Sequence, residues 1–165
     1  MRIERVWAMP NKWTFTIKPI KKLLEEEMNG IWIDPYAGLN SPAQLTNDIN
    51  PSMPTKYHLE SLAFLKQMKL ISDPIDGCLF DPPYSVHQSV EVYEGKKQKN
   101  ASINMDVISR VIKPGGKAIC FGWNSNGLGK NRGFELERIL LVAHGSSHND
   151  TIVTVEKKIN SSLFI

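Results

Sequence analysis

Cysteine is scarce in this chain: 165 residues contain two, Cys78 and Cys120. Both sit in apolar, strand-like runs without Cys/His ligand spacing. That excludes a disulfide-stapled scaffold and leaves the four histidines without zinc partners, so reduced core cysteines and no metal site are expected. No run of 18 apolar residues exists, and no membrane span is expected. The N-terminus lacks an apolar stretch followed by a small-residue cleavage site, so the expectation is a cytoplasmic protein without a signal peptide. Neither a Gly-x-x-x-x-Gly-Lys-[Ser/Thr] loop nor a Gly-x-Ser-x-Gly elbow occurs, which sets aside P-loop nucleotide hydrolysis and the serine-hydrolase elbow. Repeats, low-complexity tracts and Pro/Gly/Ser-rich linkers are missing too, so residues 1–165 read as one domain. Charge of one sign hardly dominates: 20 Lys+Arg against 17 Asp+Glu gives +3, compatible with a nucleic-acid partner but no proof of one.

What is present centres on Asp81-Pro82-Pro83-Tyr84, directly after the apolar run Gly77-Cys78-Leu79-Phe80. Two consecutive prolines fix φ near −65° and remove two donors, leaving a stiff arm of carbonyl acceptors. The Asp81 carboxylate and a proline carbonyl can accept the two hydrogens of a planar amino group while Tyr84 stacks on its ring. A strand followed by a rigid turn is the other reading of these four residues alone.

Periodicity supplies the frame. Ile17, Ile20, Leu23, Leu24 and Met28 recur at three- and four-residue steps, predicting an amphipathic helix over 17–28 that stops at Asn29-Gly30. Strands are expected at 31–34, 44–48, 56–59 and 77–81, and helices at 60–68 and 103–112. Lys113-Pro114-Gly115-Gly116 should end the latter before a strand over 117–122, and a hairpin of 134–143 with 151–157 closes the chain. Glu94 to Asn100 reads as a solvated basic loop or a phosphate-contacting flap. The fold class is therefore α/β, a mostly parallel Rossmann-like sheet with a terminal antiparallel hairpin. Only nine residues separate the first two strands, so the first crossover helix must be vestigial or absent.

Taken together these segments resemble the S-adenosylmethionine-dependent amino-methyltransferases, which methylate exocyclic amines of bases in DNA or RNA. Asp81 to Tyr84 resembles their motif IV. Lys18 to Leu24, followed by Ile31 to Gly38, is similar to motif X running into motif I. Thr46 to Pro51 resembles the acidic element after their second strand, and Val111 to Lys117 the turn before their fifth. The likeness covers nearly the whole chain in the expected order. It departs at Gly38-Leu39-Asn40, where these families show Gly-x-Gly; Asn40 is the substitute expected to tolerate positive φ.

The resemblance implies S-adenosylmethionine as cofactor and a sandwich fold of the methyltransferase kind. With strands one, two and four as parallel neighbours, Asp34, Asp48 and Asp81 share one sheet edge. Asp48, with Ile49 beside it, is the ribose candidate, or else an Asx-turn former. Asp34, Pro35, Tyr36, Ala37 and Gly38 would pass under the methionine end, and Thr14, Phe15 and Lys18 would pack over it. Leu59 and Glu60 are candidates for the adenine pocket; Glu60 equally suits a helix N-terminus. Tyr84, His87, Gln88 and Trp123 would surround the target base, and Lys96, Lys97 and Lys99 would meet phosphates. Asp rather than Ser at the first motif position points to adenine N6 in DNA. RNA-base and cytosine-N4 enzymes, and a non-catalytic subunit of this fold, remain alternatives. Residues 85–102 are the only internal stretch long enough for target recognition, so a homodimer or a recognition partner is an open possibility.

Overall fold

The computed structural model describes residues 1–83 and 94–159, with the backbone alone over 94–100. Among the described residues seven strands form one sheet: β1 (Arg2–Trp7), β2 (Trp32–Asp34), β3 (Leu45–Thr46), β4 (Ile75–Phe80), β5 (Ile112–Gly122), β6 (Phe134–Ala143) and β7 (Thr151–Lys158). Their spatial order is β1-β6-β7-β5-β4-β2-β3. Strands β3, β2, β4 and β5 are mutually parallel, β7 runs antiparallel between β5 and β6, and β1 lies parallel to β6.

Helix α1 (Lys18–Glu27) starts at Lys18-Pro19, where proline's missing N–H costs nothing, and buries Ile20, Leu23 and Leu24. Gly30 turns the chain with φ +83°, a conformation a side chain would strain. With Phe15 and Ile17, α1 covers one face of the sheet over Trp32, Leu79, Ile119, Phe121, Leu140, Val142, Val153 and Val155. Helices α2 (Ser61–Met68) and α3 (Glu94–Val111) cover the opposite face, with Phe64, Leu65, Met68 and Ile108 against Ile33, Cys78, Phe80 and Ala118. Arg138 on β6 locks β1 and α1 together, pairing with Glu4 and Glu26 at 2.7 Å each and with Glu27 at 3.1 Å.

The hairpin bounds expected from sequence agree with β6 and β7 to within one residue. Residues 35–44 contain turns and no helix, as the nine-residue interval required. Four expectations change. The third strand shrinks to a single parallel bridge between Asn47 and Tyr57. The basic segment Glu94–Asn100 is not a loop but the first turns of α3. It carries Glu, Lys and Gln, which favour helix, but no apolar residues to give a period. Strand β5 starts at Ile112, which pairs with Ile75, and the Lys113-to-Gly116 segment is a bulge within the strand. There a Cβ on Gly116 would come within 2.6 Å of the Asp76 carbonyl. Finally, β1 has no counterpart among the expected strands; its alternation is masked by Arg2, Glu4 and Arg5.

Candidate active site

Strands β2, β3 and β4 end at a common edge, and each delivers an aspartate there. Asp34 is the last residue of β2, Asp48 lies two beyond β3, and Asp81 follows β4.

Asp34 is fully buried. Its carboxylate accepts from the Tyr36 backbone N–H at 2.9 Å and the Ser41 hydroxyl at 2.6 Å. Its pKa is raised to about 7, chiefly by burial, with the charges of Asp81 and Asp48 adding to the rise and those two hydrogen bonds opposing it. The side chain thus shapes the loop over residues 34–41 from beneath. Asp48 is half-exposed, with one oxygen accepting from the Gly38 N–H at 3.0 Å and the other from the Asn50 N–H at 2.8 Å. It therefore forms an Asx turn and also pins the Gly38 turn, while each carboxylate oxygen keeps a further lone pair.

The Gly38 turn has φ +56°, and a Cβ there would meet nothing nearer than the Trp13 ring at 3.9 Å. Asn40 does not share the positive φ expected of it; among non-glycine residues described, Ser146 alone is positive. The turn rests on Gly38. Ala37 is buried, its N–H donating to the Asn47 carbonyl at 2.8 Å. Tyr36 points inward, edge-on to Phe80 at 5.8 Å. Its hydroxyl donates to Ser61 at 3.2 Å and accepts from Asn104 at 2.7 Å.

Asp81 is partly covered, and burial raises its pKa to about 6, opposed by a hydrogen bond from the Thr14 hydroxyl. Thr14, expected against the cofactor, therefore stands beside Asp81. Phe15 is a core anchor, edge-on to Phe121 at 5.4 Å, and Lys18 is exposed on the first turn of α1. Pro82 is half-buried and Pro83 exposed. Glu60 caps α2, its carboxylate accepting from the N–H groups of Leu62 and Ala63 at 3.0 and 3.4 Å. Leu59 donates its N–H to the Asn47 side chain at 2.9 Å, and Ile49 is exposed.

Trp123 is 54% exposed, one residue beyond β5. From the Phe80–Cys120 pairing and ordinary strand spacing, its Cα lies about 8 Å from that of Asp81. Tyr84, His87 and Gln88 lie outside the described residues. Lys96, Lys97 and Lys99 lie on the first turns of α3, where the backbone alone is described.

Sequence reasoning missed three organising residues. Buried Asn47 ties three segments, donating to the carbonyls of Pro35 and Leu59 and accepting from Leu59 N–H. Its only signal was a polar residue at the end of a strand beside Asp48. Buried Asn104 joins α3 to the Tyr36 loop and to Ser61 at the start of α2. An amide four residues before Ile108, on the apolar stripe of a helix, was the available clue. Ser41 left no signal at all.

A cavity of about 490 Å³ lies beside α1, lined by Phe15, Leu24, Met28 and Pro42 among others, and by none of the three aspartates. It occupies the side of α1 facing the short crossover, from which Asn40, Pro42 and Gln44 contribute to its lining. Among the described residues no cluster of His, Cys, Asp and Glu suits a metal ion, and no helix is long and apolar enough to cross a membrane.

The sequence matches no protein-family model and no curated protein. The fold has clear counterparts among solved structures. A Haemophilus influenzae protein assigned as a methylase superimposes with a TM-score of 0.52 at 13% identity, covering 87% of each chain. TrmN from Thermus thermophilus gives 0.51 at 14% identity over 86% of this chain and 48% of its own. The N-methyltransferase NodS from Bradyrhizobium japonicum gives 0.50 at 8% identity, covering 87% and 93%. The fold is the Rossmann-like methyltransferase sandwich: a mostly parallel sheet with a terminal antiparallel hairpin, here with one helix on one face and two on the other among the described residues.

Proposed function

We propose that this protein transfers a methyl group from S-adenosylmethionine to the exocyclic amine of a nucleic-acid base, with adenine N6 in DNA as the target. The observation that carries the reading is Asp81, the first residue of the sequence Asp81-Pro82-Pro83-Tyr84, directly after β4 and on the same edge as the Gly38 turn and Asp48.

The residues present suit this cofactor. Asp48 keeps acceptor capacity for a ribose diol, a Cβ on Gly38 would touch only the Trp13 ring at 3.9 Å, and Asp48 and Asp81 bring acidic side chains to one edge. When bound, S-adenosylmethionine supplies a methyl group made electrophilic by its sulfonium charge. The chain's own task is to prepare and hold the amine. Its lone pair is delocalised into the ring, and acceptors placed on both N–H groups favour a pyramidal, more nucleophilic nitrogen. Asp81 and a carbonyl of the proline pair serve as those acceptors, with Tyr84 stacked on the ring and Trp123 as a second wall. Fixing the amine in line is an orientation effect worth several kcal/mol of the barrier. In duplex DNA the base must be extruded from the stack to reach such a pocket.

A second reading, a non-catalytic subunit of the same fold, draws on the missing crossover helix and the reduced third strand. Calorimetric titration with S-adenosylmethionine separates the two, since the catalytic reading requires binding. Asp81→Ala and Tyr84→Ala should abolish or severely reduce transfer with cofactor affinity nearly intact. Loss of cofactor binding in either well-folded variant would contradict the division of labour.

A further inference from the structure

Ten large apolar side chains are exposed among the described residues, and four of them fall within the first nine positions: Met1, Ile3, Trp7 and Met9. Each is between 64% and 79% exposed. All four are odd-numbered positions along and beside β1, with exposed Arg5 between Ile3 and Trp7, which places them on one face of the strand. Glu4, of opposite parity, reaches Arg138 and so looks toward α1. The apolar row therefore lies on the face away from α1.

Strand β1 is also an outermost strand. It bonds to β6 on one side, and among the described residues no strand meets its other side. An unpaired edge with exposed apolar side chains is normally blunted by proline, a bulge or inward charge. Here the six residues hold none of the first two; the one acid, Glu4, is committed to Arg138 and Arg2, which leaves Arg5 as the single charge on the outward apolar face.

The sequence of this edge fits a second copy of itself. A two-fold axis perpendicular to the sheet keeps the faces unchanged, so residues of equal parity meet. Centring the axis on Val6 sets Ile3 opposite Met9 twice and Arg5 opposite Trp7 twice, with Glu4 against Ala8 and no like charges in register. Apolar pairs and an arginine over an indole ring both stabilise such an interface. Centring it on Glu4 or Arg5 instead confronts like charges.

We propose that β1 is a self-association strand, through which two copies of this chain pair antiparallel into one continuous sheet. Seven strands from each make fourteen. The antiparallel operation sends the two aspartate edges to opposite ends, leaving both candidate active sites open. This interface stands independently of the catalytic reading.

Sedimentation of the full chain over a concentration series is the test. A reversible monomer–dimer equilibrium is expected, weakened roughly tenfold or more by Trp7→Lys and by Ile3→Lys. Both substitutions lie on exposed surface, and circular dichroism checks that each variant keeps its fold. Register is read from variants with one added cysteine, Glu4→Cys, Arg5→Cys and Val6→Cys, with Lys22→Cys on exposed α1 as control. The native Cys78 and Cys120 are buried, with thiols pushed up by desolvation, so background crosslinking is low. Val6→Cys should form intermolecular disulfide fastest. A chain that stays monomeric throughout, a dimer indifferent to both lysine variants, or equal crosslinking at all four sites would overturn the proposal.

Discussion

Asp81 should impose a pH limb on methyl transfer, and the structure gives its position. Burial lifts the carboxyl from an ordinary 3.8 to about 6. Only the ionised form offers acceptors at both oxygens; protonation turns one into a donor and takes the charge from the other, which weakens the hydrogen bond that prepares the amine. With one proton involved, kcat/KM should fall about tenfold per unit below pH 6, giving roughly tenfold less activity at pH 5 than on the plateau. The Thr14 hydroxyl opposes the upward shift, so Thr14→Val should move the limb to higher pH, while Thr14→Ser restores it. Asp34 titrates nearby, so the observed value belongs to the pair of acids. The assay is initial rate of transfer between pH 4.5 and 8, with folding followed by circular dichroism at each pH. A profile flat through pH 5 in a folded enzyme, or a limb that Thr14→Val leaves in place, would refute this role for Asp81.

Asp34 has a folded pKa of about 7 against 3.8 for the free group, so it contributes stability fully present below about pH 4 and lost as pH rises toward 7. If wholly expressed, that shift is worth on the order of 4 kcal/mol, and Asp34→Asn should flatten the pH dependence of denaturant midpoints between pH 4 and 8; an unchanged slope would show that Asp34 is not the group titrating. Asp48→Ala should weaken S-adenosylmethionine binding by about 1.5–3 kcal/mol, the range for a hydrogen bond to a charged group. An unaltered dissociation constant would leave Asp48 as the former of the Gly38 and Asn50 turns alone. Neutralising Lys96, Lys97 and Lys99 together should flatten the salt dependence of duplex binding by roughly 2.7 in log–log slope, about 0.9 for each phosphate that a lysine had neutralised. An unchanged slope would mean that those lysines only solvate the start of α3.

Much of this molecule could be read before folding because its core segments carry strong local signals. The stripe of Ile20, Leu23 and Leu24 names α1, and the run to Phe80 names β4. The interval between Asp34 and Leu45 leaves no room for a helix, and none forms there. What escaped lacks such a signal. The first turns of α3 are polar throughout, so only propensity could have placed them in a helix. Strand β1 owes its place to pairing with β6 and to the Arg138 ion pairs, with partners more than a hundred residues away in sequence. At the site, the sequence shows which acids share an edge but not what each one holds. Asp34 proves to be buried beneath the loop, Tyr36 is turned into a cluster with Ser61 and Asn104, and Thr14 stands against Asp81. Such side-chain directions depend on tertiary neighbours that no local pattern encodes.

The central claim is tested most directly by incubating the protein with tritiated-methyl S-adenosylmethionine and DNA or RNA, then digesting the nucleic acid and separating the nucleosides. The account predicts label in N6-methyladenine from DNA, abolished by Asp81→Ala. Label in no nucleoside from either substrate, with the cofactor bound and the protein folded, would contradict it.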